Sequence, residues 1–395
     1  VSREVNFDYD SEQNDLREAV RGLLARAYAD SEQRRAVVGA DPGYDEKTWA
    51  RLAEMGLLGL PFAEEDGGMG AGPIEVAIVA EEIGRVLAPE PFIETVVLAG
   101  GLVAAVGTAE QKGEILAGIS EGTTLAVFAH AEPRARWTPS AEAVTATQRG
   151  DGWTLTGVKE PVPSGARADV LVVSAVLAED GAPARTGLFL VQGDATGLTR
   201  TGYRTHDGTR AANVRFDGTP AQQLGGNGSP THPDRTAAVE RALAEARIAY
   251  GHEAIGAMDT ALRTTAEYLK TRKQFGVTLN KFQALTFRAA DMYVSLELAR
   301  STALWASMVT DAGGDVVSAA ERARLQVSRA GRHIGKEAIQ LHGGIGVTAE
   351  YSVGHYTSRL TAIDHVLGDG DWALGRLAAK VDSYETVDPL GAPYA

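Results

Sequence analysis

Two short stretches of this chain carry residue types that together can hold an anionic dinucleotide. Arg272 closes one helical run, Phe275 and Gly276 follow within four residues, and Leu279, Phe282 and Gln283 open the next. A guanidinium fork can bond a pyrophosphate at two points, an aromatic ring can pack beside adenine, and glycine lets backbone approach a ligand. Alone, the same residues are more often a surface ion pair beside a core anchor. Further on stands Gln340-Leu341-His342-Gly343-Gly344-Ile345-Gly346. Adjacent glycines at a helix end leave backbone N–H groups open to an anion or the edge of a base, whereas capping needs one glycine.

Positioning these stretches takes long helices. Glu240 to Lys270 reads as one helix with Leu243, Ile248, Ile255 and Leu262 on its buried side; Phe282 to Thr310 and Val316 to Leu341 read as two more. Long amphipathic helices with short connections predict an up-and-down bundle over 234–395. Residues 1–121 predict shorter helices: Leu16, Val20, Leu23 and Leu24 repeat at helical spacing, Trp49 to Met55 repeat likewise up to Gly56, Pro73 suits a first turn, and Thr108 with Gln111 fits a capping box. Between them, 122–233 holds short apolar runs: Leu125 to Phe128, Val144 to Thr147, Trp153 to Leu155, Val170 to Val176 and Gly187 to Val191. These predict an antiparallel β-domain, with a hairpin turn at Asp151-Gly152 and an exit linker over Gly225 to Pro233. The fold class expected is therefore α+β, mainly α.

The totals exclude several functions. A chain of 395 residues, 44% apolar, supports two or three domains. The formal charge of -14 offers no broad cationic field for nucleic acid or an anionic membrane. There is no cysteine, hence no disulfide, thiolate nucleophile or zinc ribbon. Val1 to Asp10 lacks the pattern of a secretory signal, so cytoplasm is the expected location. Thr95 to Gly107, the longest nonpolar run, is shorter than the roughly 20 residues that span a bilayer and predicts a buried helix. Gly343 and its neighbours do not spell a Rossmann fingerprint, His252-Glu253 lacks the second histidine of a zinc helix, and no nucleophile elbow or Walker loop occurs. His333, His342, His355 and His365 read as structural, and no metal is expected.

The paired stretches, in this order of α, β and α segments, resemble the acyl-CoA dehydrogenase family from end to end. The resemblance implies FAD as cofactor, an acyl-CoA substrate, and FAD contacts at Arg272, Phe275, Leu279, Phe282, Gln283, Gln340, Gly343 and Gly344. In that family the diglycine segment completes the adenosine end of a neighbouring subunit's FAD, which implies a dimer of dimers. The family's base, a glutamate 27 residues after the glutamine of that segment, is here Leu367, followed by Gly368 and Asp369. The alternative helical position, just before Arg247, is Ala246. Glu245 is adjacent, but one residue turns a helical side chain about 100°.

The loop that closes on the flavin keeps only Glu132-Pro133 within Phe128 to Trp137, and the Trp-Ile-Thr that backs the ring is Pro161-Val162-Pro163, without N–H donors at two positions. Glu94 aligns with the floor of the family's acyl pocket, where a helix-terminal charge after Pro91 is the competing reading. Asp369 and Asp371 fall near the flavin or in a solvated turn, and Arg247 either assists the substrate or pairs along its helix. Gly100, Gly101, Ala104 and Ala105 make room for a bulky acyl group or for close packing. Three functions follow: an active dehydrogenase with an unusual base; a non-catalytic subunit completing the FAD site of a different, catalytic chain, as in actinobacterial steroid-degrading heterotetramers; or a flavin monooxygenase or acyl-CoA oxidase on the same scaffold.

Overall fold

The computed structural model describes residues 7–135, 137–150, 152–177, 184–226 and 233–383. Arg136, Asp151 and most of the expected linker over 225–233 lie outside them.

The N-terminal part is helical: α1 (Ser11–Ala27), α2 (Ser31–Gly39), α3 (Glu46–Glu54), α4 (Pro73–Val86), α5 (Gly101–Val106) and α6 (Ala109–Ser120). Aspartates 10, 30 and 45 cap the first three by accepting a backbone N–H at the third helical residue. Pro73 opens α4, and Thr108 and Gln111 form the reciprocal capping box that starts α6. Ile93–Gly100, leading into α5, is a π-helix, a geometry that concentrates at functional sites.

Seven strands follow: β1 (Ala126–Ala129), β2 (Thr145–Arg149), β3 (Gly152–Pro163), β4 (Val170–Leu177), β5 (Arg185–Gln192), β6 (Leu198–Arg204) and β7 (Arg210–Gln223). Most pairings are antiparallel as expected, but β1 and β2 run parallel to β4 and share one of its edges. Pairings β4–β2–β3–β7–β5 return to β4, so the sheet closes on itself. Val127, Leu155, Val173, Phe189, Val214 and Phe216 fill its interior. Strand β4 is buried along its length because its other face, with Val170 and Val172, packs on the helical core. That two-sided burial explains its unbroken apolar run. Sequence reading passed over β6, which is exposed along most of its length, and β7, whose buried Ala212, Val214 and Phe216 alternate with polar residues and were the available signal.

The C-terminal part comprises α7 (Thr236–Thr271), α8 (Gln283–Asp311), α9 (Val316–His342), α10 (Val353–His365) and α11 (Gly370–Ala378). Helix α7 is the axis of the molecule. A Cβ on Gly84 of α4 would stand 1.8 Å from the Glu253 carbonyl oxygen of α7, and one on Gly256 of α7 would stand 1.9 Å from that of Glu81, so two glycines set this crossing. Arg359 on α10 reaches Glu253 of α7 at 2.6 Å and Asp207 of the β6–β7 turn at 2.7 Å, tying three elements together. Among the described residues no helix is long and apolar enough to cross a membrane.

Candidate active site and cofactor surface

Arg272 leaves α7 with its N–H donating to the Tyr268 carbonyl, and a two-residue hairpin follows in which Lys273 pairs Thr278 and Gln274 pairs Val277. Its turn is Phe275-Gly276, both with positive φ, at 52° and 82°. Such a turn favours Asn-Gly or Gly-Gly; a bulky aromatic there costs about 1–2 kcal/mol of backbone strain. The ring gains little burial in return, being 93% exposed with an edge-on contact to Phe282 at 6.2 Å. Strain held at an exposed aromatic points to a ligand or partner. Leu279 packs against the core and Gln283 is the first residue of α8.

The diglycine segment lies beside this hairpin. Tyr268, one turn before Arg272, packs on His342 at 4.4 Å, and Tyr351 completes a three-ring cluster, 4.9 Å from that imidazole and 6.3 Å from Tyr268. Buried His342 thus clamps the end of α9 to the end of α7. Gln340, Gly343 and Gly344 are exposed, Gly343 takes φ 66°, and a Cβ on either glycine would meet nothing within 4 Å. Arginine, aromatic, glutamines and diglycine are thus exposed near the joined ends of α7 and α9, and their donor types suit the adenosine and pyrophosphate end of a dinucleotide.

Beneath the β-domain, Leu98, Phe128, His130, Pro161, Pro163, Tyr250, Arg247 and Leu367 line a cavity of about 400 Å³. This is where the sequence places the missing base, and the segment concerned is fixed by cations. Arg247 Nε donates to the Leu367 carbonyl at 2.5 Å while its guanidinium stacks on Trp372 at 4.4 Å. Arg324 donates to the carbonyls of Gly368, Ile363 and Val366. Burial lowers their pKa values to about 9 and about 10, which leaves both charged at neutral pH. Leu367 itself adopts φ 61°.

Two carboxylates line this cavity. Glu132 accepts the N–H groups of Glu142, Ala143 and Val144 and pairs with Lys159 at 2.7 Å. Burial would raise its pKa, but Lys159 and the amides outweigh it and hold the carboxyl below its ordinary value. Burial drives Lys159 down to about 8. His130 is neutral, pushed to about 4 by burial; its Nε2 faces the Thr138 carbonyl, so that nitrogen carries the proton and Nδ1 accepts from the Ser174 hydroxyl. The second carboxylate, Glu160, accepts from Asn213 at 2.6 Å. Sequence reasoning passed over Glu160 and Arg324; standing next to the two prolines was the available signal for the first. Pro161 and Pro163 both face the cavity, so its wall lacks the amide donors that a flavin ring's carbonyls and nitrogens need. The adenosine end fits; the ring wall does not.

Glu94 lies on the far side of Tyr250, which donates to it at 2.9 Å, and it lines a separate cavity of about 240 Å³ with Glu90. Burial raises its pKa. Asp369 caps α11 by accepting the Trp372 N–H at 2.7 Å, and Asp371 is exposed near Arg332. Gly100 packs against Phe62, whereas Gly101, Ala104 and Ala105 face a third cavity instead of the one beside Leu367. Glu245 pairs with Arg241 on that same third face.

Residues 10–123 match the family model "Acyl-CoA dehydrogenase, N-terminal domain" and residues 236–381 match "Acyl-CoA dehydrogenase, C-terminal domain". The chain belongs to the acyl-CoA dehydrogenase family. It is 31% identical to the probable acyl-CoA dehydrogenase YngJ of Bacillus subtilis over 88% of this chain and 92% of that one. Acyl-CoA dehydrogenase IpdE2 of Mycobacterium tuberculosis is 32% identical over 93% and 96% of the two chains. Among solved structures, a variant of the Tcur3481–Tcur3483 steroid ACAD is 34% identical, with a TM-score of 0.83 over 94% of this chain and 98% of that one. FAD is the cofactor of this acyl-CoA dehydrogenase, and α,β-dehydrogenation of an acyl-CoA is its family's reaction.

Proposed function

We propose that this chain is the non-catalytic subunit of a heteromeric acyl-CoA dehydrogenase, presenting Arg272, Phe275, Leu279, Phe282, Gln283, Gln340, Gly343 and Gly344 to the adenosine end of an FAD held mainly by a catalytic partner. The reading rests on one contrast: an open, strained cofactor surface coexists with a cavity whose base position is a leucine tied down by two arginines. Bound FAD supplies the hydride acceptor. This chain's residues bind and orient it from outside, and Arg247 organises the 366–368 segment instead of touching substrate. Phe287, Tyr293, Val294 and Leu298 on α8 are large and exposed, as an assembly through the C-terminal helices requires. The Tcur3481–Tcur3483 relative, a steroid ACAD of two named components, supports two chain types within the proposed dimer of dimers and a steroid acyl-CoA as substrate. The assembly is cytoplasmic in this reading and takes no nucleic acid or membrane partner.

The chain is purified alone and after co-expression with a second acyl-CoA dehydrogenase chain. Flavin absorbance and turnover appearing only in the co-expressed complex are expected, with steroid-CoA thioesters preferred to straight chains. Flavin and turnover in the lone chain refute it. One observation favours a second reading: Glu160 is a carboxylate inside the cavity. If it is an unusual base, the lone chain turns over and Glu160→Gln abolishes that activity.

A further inference from the structure

The two stretches proposed for the cofactor lie far apart in sequence, and neither is held in place by its own side chains. Arg272 is exposed just past the end of α7, and among the described residues no partner restrains its guanidinium. Gly343 and Gly344 have only backbone to place their N–H groups, and both are exposed. A group that binds a ligand at two points must be held to within about 0.5 Å of its working position. The ends of α7 and α9 therefore need a rigid link that these residues do not themselves supply.

One side chain makes that link. The Tyr268 carbonyl accepts the Arg272 N–H at 2.8 Å. Its ring packs on His342, the residue before Gly343, with centroids 4.4 Å apart and planes tilted by 30°, and its hydroxyl donates to the His342 carbonyl through a long bond of 3.4 Å. Tyr351, beyond the other end of the Gly343–Val347 turn, meets Tyr268 edge-on at 6.3 Å and His342 at 4.9 Å. Both flanks of the diglycine turn are thus pinned to one tyrosine, a single helical turn from Arg272. His342 is fixed in its place as well: it is 4% exposed, and its Nδ1 faces the Ala338 carbonyl at 2.8 Å, so that nitrogen carries the proton and donates it. A ring cluster that served stability alone would leave cofactor affinity unchanged, so the two roles separate by measurement.

We propose that Tyr268 is a positioning residue for the cofactor, setting the distance between the Arg272 guanidinium and the N–H groups of Gly343 and Gly344 through its ring contacts with His342 and Tyr351. This rests on the cofactor contacts proposed above and is independent of whether this chain or a partner performs the chemistry.

The test uses the flavin-loaded protein, as the complex with its partner or as the lone chain if that holds flavin. Release of FAD on dilution gives its dissociation constant, and size-exclusion chromatography checks that the assembly stays intact. Arg272→Ala and Tyr268→Leu should each weaken FAD about ten-fold or more, while Tyr268→Phe, which keeps the ring and loses only the long hydroxyl bond, should stay within about two-fold. Tyr351→Leu removes the outer ring and should weaken FAD about three-fold or more; it carries the test if Tyr268→Leu does not fold. In the double variant R272A/Y268L the two losses should not multiply, because an arginine that is absent cannot be misplaced. A change of about two-fold or less in Tyr268→Leu, or in Tyr351→Leu, beside a large loss in Arg272→Ala overturns the positioning role alone. Arg272→Ala without effect overturns the cofactor contacts, and this role with them. Losses that multiply in the double variant, or Tyr268→Phe as weak as Tyr268→Leu, overturn it too.

Discussion

Phe275→Gly separates a residue kept for folding from one kept for a ligand. At φ 52° the phenylalanine carries about 1–2 kcal/mol of strain that glycine lacks. Glycine returns about 0.5–1 kcal/mol of that through the freedom it gives the unfolded chain, and the edge contact with Phe282 is worth at most about 1 kcal/mol on an exposed ring. Those contributions nearly cancel, so urea unfolding of the isolated chain should change by less than about 1 kcal/mol. An aromatic that stacks on a base is worth about 1–3 kcal/mol, so the co-expressed assembly should hold FAD about 5- to 150-fold more weakly. Flavin release on dilution measures this, with size-exclusion chromatography checking that the subunits stay together. A clear loss of stability in the free chain with unchanged flavin retention would refute the argument. So would dissociation of subunits at saturating FAD, which would make Phe275 a protein contact.

Three further outcomes follow from particular contacts. Glu90 is 4% exposed, accepts from Tyr28 and the Asp45 N–H, and leaves Oε2 without a partner, so burial raises its pKa to about 7. Its folded pKa exceeds the unfolded value, so its contribution is intact below about pH 4.5 and is lost as pH rises through about 7. Glu90→Gln should therefore match the parent at low pH and exceed its stability above pH 7 by up to about 3 kcal/mol; an equal offset at both pH values contradicts this. Arg247→Leu removes the bond to the Leu367 carbonyl and the stack on Trp372, costing about 1–3 kcal/mol in chemical unfolding. The same variant should leave kcat of the complex within about two-fold if catalysis resides in the partner, since only groups meeting the transition state control it. Gly84→Ala drives a methyl into the Glu253 carbonyl and should cost about 3 kcal/mol or more, while Gly101→Ala, with open space around it, should be neutral or gain up to about 1 kcal/mol. Similar melting temperatures for the two alanine variants would mean that the α4–α7 crossing is not set by its glycines.

Local chemistry was enough to read most helices and five of the seven strands, and to single out the residues proposed for the cofactor. Caps at Pro73 and Thr108, the long apolar stripe of α7 and the doubled glycine at 343–344 act over a few residues, and their physics is complete within the sequence window that holds them. The absence of a carboxylate at positions 246 and 367 was equally legible, because it is a matter of residue type. Other outcomes required distant segments to meet. Strand β6 is exposed along most of its length and carries no signal alone, while β7, which does alternate over Ala212 to Asp217, is held by β3 on one side and β6 on the other. The parallel entry of β1 and β2 onto β4 is a choice between pairings that no single strand encodes. Tertiary structure also gave Glu94 to a different cavity from Leu367, made Asp369 a cap, aimed two arginines from separate helices at 363–368, and brought Glu160 to the wall beside the prolines. Gly101, Ala104 and Ala105, in the helix that follows the π-helix at 93–100, face a cavity on the far side of α7. Burial, pairing and orientation of a side chain are set by what arrives from elsewhere in the chain, so residue types and spacing fix the list of candidates while packing assigns their roles.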